Sequence, residues 1–509
     1  MNALLAVPIL VPLLGAAPSL LMRRTPRLQQ GVAVAALAAV VVDAALLLRA
    51  TADGTVVISQ AGGWEAPLGI TIIADPLSAL MLAVSAVVLV VVQLFAIGQD
   101  VAGLSRAMPQ VFHPIYLVLT AGVCLSFLAG DLFSLFVGFE VMLTASYALI
   151  TQAPTRARVR ASMIYTVVSL TSSILFLTGI ALVYGLTGTV NLADIAVKLG
   201  GAPEELRMVL ALLFLVVFGI KAALVPMHFW LPDSYPVAIT RISAIFAALL
   251  TKVAVYAIIR SQTLLFGRDD ISSVLLCVAI ATMLVGIFGA LVQDDVNRLM
   301  SFALVSHIGF MIFGLGLNSV AGLAGAIIYL VHHIVVQANL FLVNGLIRQY
   351  AGHSSLRAMR GLNTVSPVLS VYFFIPAMSL AGLPPMSGFV AKAALFQAGV
   401  GVGGWLVYAA VAAGAATSLL TVMAVFRVWV RGFWGTPMPD MVEARERLKR
   451  GAHLGGLRFM AAMTGVMVAV GLVVAAAAGP LSEVAFTAAH DLMNGSSYIE
   501  AVLGEGAAR

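Results

Sequence analysis

The chain has 509 residues, of which 61% are hydrophobic and 10% charged, and its formal net charge is +6. Soluble domains carry roughly a quarter of their residues as charges, so this composition, with a mean hydropathy of +1.06, excludes a soluble globular protein. Cys124 and Cys277 stand alone in apolar runs, which excludes a disulfide framework, a CxxC pair and iron–sulfur spacing.

At about 20 apolar residues per crossing, runs near 2–22, 30–50, 72–96, 112–130, 132–152, 161–185, 207–227, 238–262, 271–292, 299–317, 321–347, 365–390, 402–430 and 457–479 predict fourteen membrane helices. The first is not a secretory signal, because its basic cluster (Arg23, Arg24, Arg27) follows the apolar run instead of preceding it. The stretch from Phe112 to Thr151 is two crossings long and must fold back on itself at Asp131. Of the 28 lysines and arginines, nineteen fall in odd-numbered loops, six in even-numbered loops and the tail, and three within spans. Positive charge collects on the cytoplasmic side, so both termini are expected outside.

In the fifth span, Glu140 lies too deep in FVGFEVMLTASYALI to reach an interface. In the sixth, Ser162, Thr166, Ser169 and Ser173 recur at helical spacing and read as small packing residues. The seventh span, FGIKAALVPMHFWLPDSYP, and the twelfth, SLAGLPPMSGFVAK, each couple a lysine (Lys221, Lys392) to prolines (Pro226; Pro384 and Pro385) that break a helix. Interrupted spans in corresponding positions of two halves point to an inverted-repeat transporter with its site at mid-membrane. The eighth span adds Lys252.

A charge at a helix centre costs roughly 2.5–3.5 kcal/mol even on the lenient scale. A lysine in a low-dielectric site gives up its proton readily, whereas a neighbouring carboxylate holds it on, so moving the partner switches the lysine. Arginine cannot be switched in this way. Every basic group deep in a span reads as lysine, which suits proton transfer. His307 lies in the tenth span and His332 and His333 in the eleventh. Helical spacing puts His333, Gln337 and Asn344 on one face, with His332 and Asn339 beside it. That strip suits either proton relay or helix–helix adhesion. Outside the spans, Glu204, Glu205, Asp269 and Asp270 read as solvated loop charges, and EARERLKR (443–450) as an exposed cytoplasmic helix or partner surface.

On the motifs FEVMLTASYALI, GIKAALVPMHFWLPDSYP, LLTKVAVYAIIR, DDVNRLMSFALVSHIGF and GLPPMSGFVAK, the chain resembles the antiporter-like subunits shared by Mrp-type multisubunit cation/proton antiporters and respiratory complex I, and most closely the D-type subunit of the Mrp antiporters. The resemblance implies an all-α polytopic membrane protein with helices 1–3 in residues 1–111 and inverted five-helix repeats in 112–262 and 263–430. A cytoplasmic loop, a last helix and a short external tail would fill 431–509. It also implies proton movement through Glu140, Lys221, Lys252, His332 and Lys392, with Glu140 and Lys221 as a switchable pair and His307, His333, Gln337, Pro226, Pro384 and Pro385 in support. Arg241 stands where the family has small residues or prolines.

The implied function is a proton-translocating subunit of an antiporter for Na⁺ or another monovalent cation. It would be a transporter component rather than an enzyme, without cofactor or metal, working among other subunits in a bacterial plasma membrane. Three other readings compete with it. One is an N- or L-like subunit of a redox-driven proton pump; another is a haem carrier using His307 with His332 or His333. The third, a structural scaffold, is opposed by the intramembrane lysines.

Overall fold

The computed structural model describes residues 2–102, 109–266, 271–439, 441–442 and 454–504. Asp269, Asp270 and the run EARERLKR lie outside the described residues. In chain order the elements are α1 (Asn2–Leu21), α2 (Pro26–Thr51), β1 (Val57–Ala61), β2 (Ile70–Ala74), α3 (Pro76–Val101), α4 (Pro109–Leu128), α5 (Leu132–Ile150), α6 (Arg156–Thr187), α7 (Leu192–Leu199) and α8 (Glu204–Ala222). There follow α9 (Trp230–Ser234), α10 (Thr240–Ile245), α11 (Thr251–Leu264), α12 (Ser272–Val292), α13 (Val296–Gly316), α14 (Val320–Ala351), α15 (Leu362–Val365), α16 (Pro367–Ala381), α17 (Ser387–Val402) and α18 (Trp405–Val428). The chain ends in α19 (Leu454–Ala476), α20 (Ala478–Asn494) and α21 (Ser496–Leu503).

The result is a predominantly helical membrane bundle. Among the described residues, thirteen helical segments are long and apolar enough to cross a membrane, and two shorter apolar helices, Pro367–Ala381 and Ser387–Val402, meet at a break. Caps set several of the starts. Asp75 accepts from the Ser78 amide at 2.8 Å to begin α3, and Asp131 from the Ser134 amide at 2.6 Å to begin α5. Asp131 is thus the fold-back point that the sequence predicts. Asp295 caps α13 in the same way, at 3.0 Å from the Arg298 amide.

The two halves repeat details at matching intervals. Asp131 pairs in a bridge with Asn191, and Asp295 in one with Ser355. Tyr165 and Tyr329 stand equally far beyond those aspartates; the first contacts Ser146 and the second His307. Both broken spans stop on a left-handed residue, Ala223 at φ 60° after α8 and Gly382 at φ 88° after α16. In the segments Thr240–Leu264 and Val320–Ala351, which carry Lys252 and the paired histidines, the most apolar stretch is buried throughout.

The structure corrects one expectation and adds two elements. Arg241 and Arg260, counted in loops by the sequence reading, are buried in the eighth span, so lysine is not the only buried base. Arg241 pairs with Asp100 at 2.8 Å, and Arg260 with Asp75 at 2.6 Å. Each sits near an end of its span beside an aspartate next to or within α3, where a bidentate-capable guanidinium serves a fixed pair. The chain after α19 is helical and packs back, α20 lying against α14 and α3. The loop after α2 forms an antiparallel hairpin, with Val57 opposite Ala74.

Candidate functional site

The first half of the site is built on α5, α6 and α8. Glu140 is half-buried on α5. The Ser173 hydroxyl on α6 donates to Glu140 Oε1 and accepts from Lys221 Nζ at 3.0 Å. The expected Glu140–Lys221 pair is therefore joined through Ser173 rather than by direct contact. Sequence reasoning took Ser173 for packing; its spacing in the serine/threonine strip was the available signal. Lys221 ends α8 just before the Ala223 turn, and its ammonium lies 5.1 Å from the centre of the Phe139 ring, a cation–π contact that partly replaces lost water.

Beyond Lys221 a cavity of about 10 Å³, room for a single water, is lined by Ser169, Tyr165, Tyr235 and Leu250. Leu250 closes a π-helical turn, Phe246–Leu250, that leads into α11. Lys252, fully buried, donates back into this turn to the Ala247 carbonyl. A π-turn frees backbone carbonyls from the regular ladder, and here one of them receives the ammonium. The cavity thus reaches from Lys221 to the turn that holds Lys252.

The second half is built on α13, α14, α16 and α17. The His307 and His333 rings stack 5.7 Å apart and 6° from parallel. His307 is held by the Tyr329 hydroxyl at Nδ1 and by Thr421 at 3.2 Å from Nε2. His333 Nε2 lies 3.0 Å from Gln337. One residue back on α14, His332 Nδ1 lies 2.8 Å from Ser387 Oγ, which in turn lies 3.2 Å from Ser379 Oγ across the break.

Lys392, one turn into α17, donates to the Leu380 and Ala381 carbonyls at 3.1 and 2.9 Å. Those carbonyls are freed because α16 stops at Gly382. Lys392 also lies 5.1 Å from the Phe310 ring centre. A side chain at Gly388 would come within 1.9 Å of the Ser379 carbonyl and 2.9 Å of the His332 ring, so glycine is what lets the two half-helices and His332 meet.

The sequence suggests that only one of the two adjacent histidines can face the axis. The geometry engages both, His333 with the His307 ring and Gln337, and His332 with Ser387 beside the break. Asn344 instead bonds Asn297 at the end of α14, away from this group. His332 Nε2, His333 Nδ1 and the Gln337 Oε1 atom are buried without partners among the described residues. Buried polar atoms are normally bonded, so these mark places able to receive a water or a passing proton. The haem reading fails on geometry, since the His307 and His333 rings stack face to face and both His307 nitrogens are occupied.

The family profile described as "NADH:quinone oxidoreductase/Mrp antiporter, TM" matches residues 129–421. A relative from Alkalihalophilus pseudofirmus, named as the D subunit of a Na(+)/H(+) antiporter, is 37% identical over 508 residues, covering 99% of this chain and 100% of that one. Its namesake in Bacillus subtilis is 34% identical, with the same coverage. Among solved structures, a chain of the Mrp complex from Dietzia sp. DQ12-45-1b superposes with a TM-score of 0.89 at 34% identity, covering 99% of this chain and 100% of that one. A chain of respiratory complex I from Thermus thermophilus shares the fold, with a TM-score of 0.78 at 23% identity over 96% of this chain and 99% of that one.

Proposed function

The chain belongs to the NADH:quinone oxidoreductase/Mrp antiporter family, and on that premise we propose that it moves protons through the series Glu140, Ser173, Lys221, Lys252, His333, His332 and Lys392. It is a proton-translocating subunit of a multisubunit Na⁺/H⁺ antiporter, a multi-pass membrane protein and a transporter component rather than an enzyme. The finer reading has fourteen spans in the bacterial plasma membrane with both termini outside. Residues 1–111 lead into inverted repeats at 112–262 and 263–430, and 431–509 close the chain. The transported cation is Na⁺ or another monovalent cation, and the partners are the other membrane subunits of the complex.

The observation that carries this reading is the Glu140–Ser173–Lys221 bridge. With Ser173 donating to Glu140 and accepting from Lys221, a concerted shift of two protons leaves both end groups neutral, and the reverse shift recharges them. Neither direction needs a large side-chain movement. A neutral Lys221 can then be reloaded across the cavity from Lys252, and Lys252 through the histidines from Lys392. The breaks at Pro226 and at Pro384 and Pro385 interrupt the backbone ladder beside each terminal lysine, which leaves local freedom to shift.

The test uses the chain co-expressed with its partner subunits in inside-out vesicles. Na⁺ should dissipate an imposed pH gradient, and Lys221→Ala and His332→Ala should abolish this at unchanged protein level. Dissipation at wild-type rates in either variant would overturn the route. A response requiring a redox substrate instead of Na⁺ would return the complex I-type alternative.

A further inference from the structure

Arg260 is buried on α11 and has no part in the route above. Lys252, Tyr256 and Arg260 follow one another at intervals of four, so the helix sets them along one side. Arg260 stands about 12 Å beyond Lys252 along the axis, at the end of α11 that the charge distribution in the loops places outside. A polar side of this kind is the shortest way for a proton to pass between Lys252 and the external water. Its hydrogen bonds run so as to close that way.

Arg260 Nη2 lies 2.6 Å from Asp75 Oδ2 and donates to the Tyr256 hydroxyl at 3.3 Å. The guanidinium also lies 5.5 Å from the Tyr256 ring centre and 5.2 Å from that of Tyr498. The other oxygen of Asp75 accepts from the Ser78 amide at 2.8 Å, so both carboxylate oxygens are engaged. Tyr256 in turn donates its one hydroxyl proton to the Phe127 carbonyl at 2.7 Å. A proton relay needs groups that accept on one side and release on the other. A guanidinium only donates and does not give up its proton, and the Tyr256 proton ends on a backbone carbonyl of α4. The bonds that start at Arg260 therefore lead away from Lys252.

On the far side of Arg260 the structure is built to hold water. A cavity of about 10 Å³, room for a single water, is lined there by Val56, Asp75, Asp491, Ser497 and Tyr498 among others. Asp491 Oδ2 and the Tyr498 hydroxyl are buried without partners among the described residues, which suits a water between the helices that carry them. Asp491 is itself partly exposed, so the cavity borders the outer surface. Its cover is made by the chain ends: α20 packs on α11 and α3, α21 on β1, and a side chain at Gly54 would lie 3.3 Å from Asp491 Oδ2.

We propose that Arg260, fixed by Asp75 beneath α20 and α21, is the outer seal of the Lys252 segment, the residue that keeps exchange coupled by barring protons and Na⁺ from Lys252 on the external side. The carboxylates of Asp75 and Asp491 draw cations into the outer cavity, and the permanent charge behind them turns the cations back, as an arginine does in a pore that must exclude protons. Lys252 is then left to exchange protons only with Lys221 and the histidines. A proton that reached Lys252 directly from outside would bypass the second half of the route, and the gradient would run down with no Na⁺ moved.

The inference rests on the antiporter reading, and the assay separates the two. Inside-out vesicles carrying the assembled complex have the outer face towards the lumen, and with wild type an acid lumen should persist until Na⁺ is added. Arg260→Gln should let the gradient collapse without Na⁺ about tenfold faster, the effect of removing one charge about 12 Å from Lys252 at an effective dielectric constant of about 20. A Na⁺-free gradient as stable as wild type in the assembled variant overturns the proposal. So does a loss of Na⁺-driven exchange with no leak, the mark of a purely structural ion pair. If Arg260→Gln fails to assemble because Asp75 is left unpaired, Asp75→Asn with Arg260→Gln takes its place, since a buried pair replaced by neutral residues is often tolerated; a leak in it supports the seal and a stable gradient overturns it. No Na⁺-driven exchange by the wild-type complex would defeat the antiporter reading instead, whatever the leak.

Discussion

Replacing Ser173 with alanine deletes the hydroxyl that joins Glu140 to Lys221 while leaving both charges and the packing of α6 in place. The wild-type hydroxyl makes one bond to a carboxylate and one to an ammonium. Hydrogen bonds to charged groups are each worth about 1.5–3 kcal/mol. If proton passage uses this bridge, loss of about 2 kcal/mol in the transition state lowers the rate roughly 30-fold. The assay is the initial rate of Na⁺-induced pH-gradient collapse in inside-out vesicles, normalised to assembled complex. Ser173→Thr retains a hydroxyl and should recover much of the rate, whereas Ser173→Val, similar in shape to threonine, should not. Wild-type rates in Ser173→Ala would refute the bridge and mean that Glu140 and Lys221 communicate by another path. Equal losses in the threonine and valine variants would point to packing rather than chemistry.

The charge swap Glu140→Lys with Lys221→Glu should fold and assemble yet stay inactive, because the direction of transfer through Ser173 is reversed; wild-type transport in the swapped protein would leave only a static ion pair. Lys392→Ala should assemble normally and lose transport, and Lys392→Arg should also fail since arginine cannot release its proton; full antiport in the arginine variant would reduce the site to a need for positive charge. Single alanine replacements at His332 and His333 should both impair transport, with the larger loss at His332, whose Ser387 contact spans to the broken helix; equal and mild effects in the same vesicle assay would return both to helix packing.

Much of the architecture was legible in the residues because the bilayer imposes it. Apolar runs of crossing length, Asp131 between two of them, and prolines beside lysines in the seventh and twelfth spans each follow from one-dimensional constraints on backbone hydrogen bonding and charge. The isolated ions Glu140, Lys221, Lys252 and Lys392 stood out for the same reason. The hydroxyl residues did not: serine is cheap in a membrane helix, so nothing local separates Ser173 and Ser387, which touch ionisable groups, from Ser162, which bonds its own helix. Arg241 and Arg260 were misread because a base near a span end looks the same whether it faces water or a partner from another helix.

The sequence by itself determined the class of protein, the spans, their breaks and the residues too costly to be accidental, since each depends on the transfer energy of a side chain or the bonding of its own backbone. Only the tertiary structure decided connectivity: that Glu140 reaches Lys221 through Ser173, that of two adjacent histidines one bonds Ser387 and the other stacks on His307, and that Arg241 is tied to Asp100. Those contacts join residues tens to hundreds of positions apart, and their geometry is set by how helices cross, to which the period of a single helix is blind.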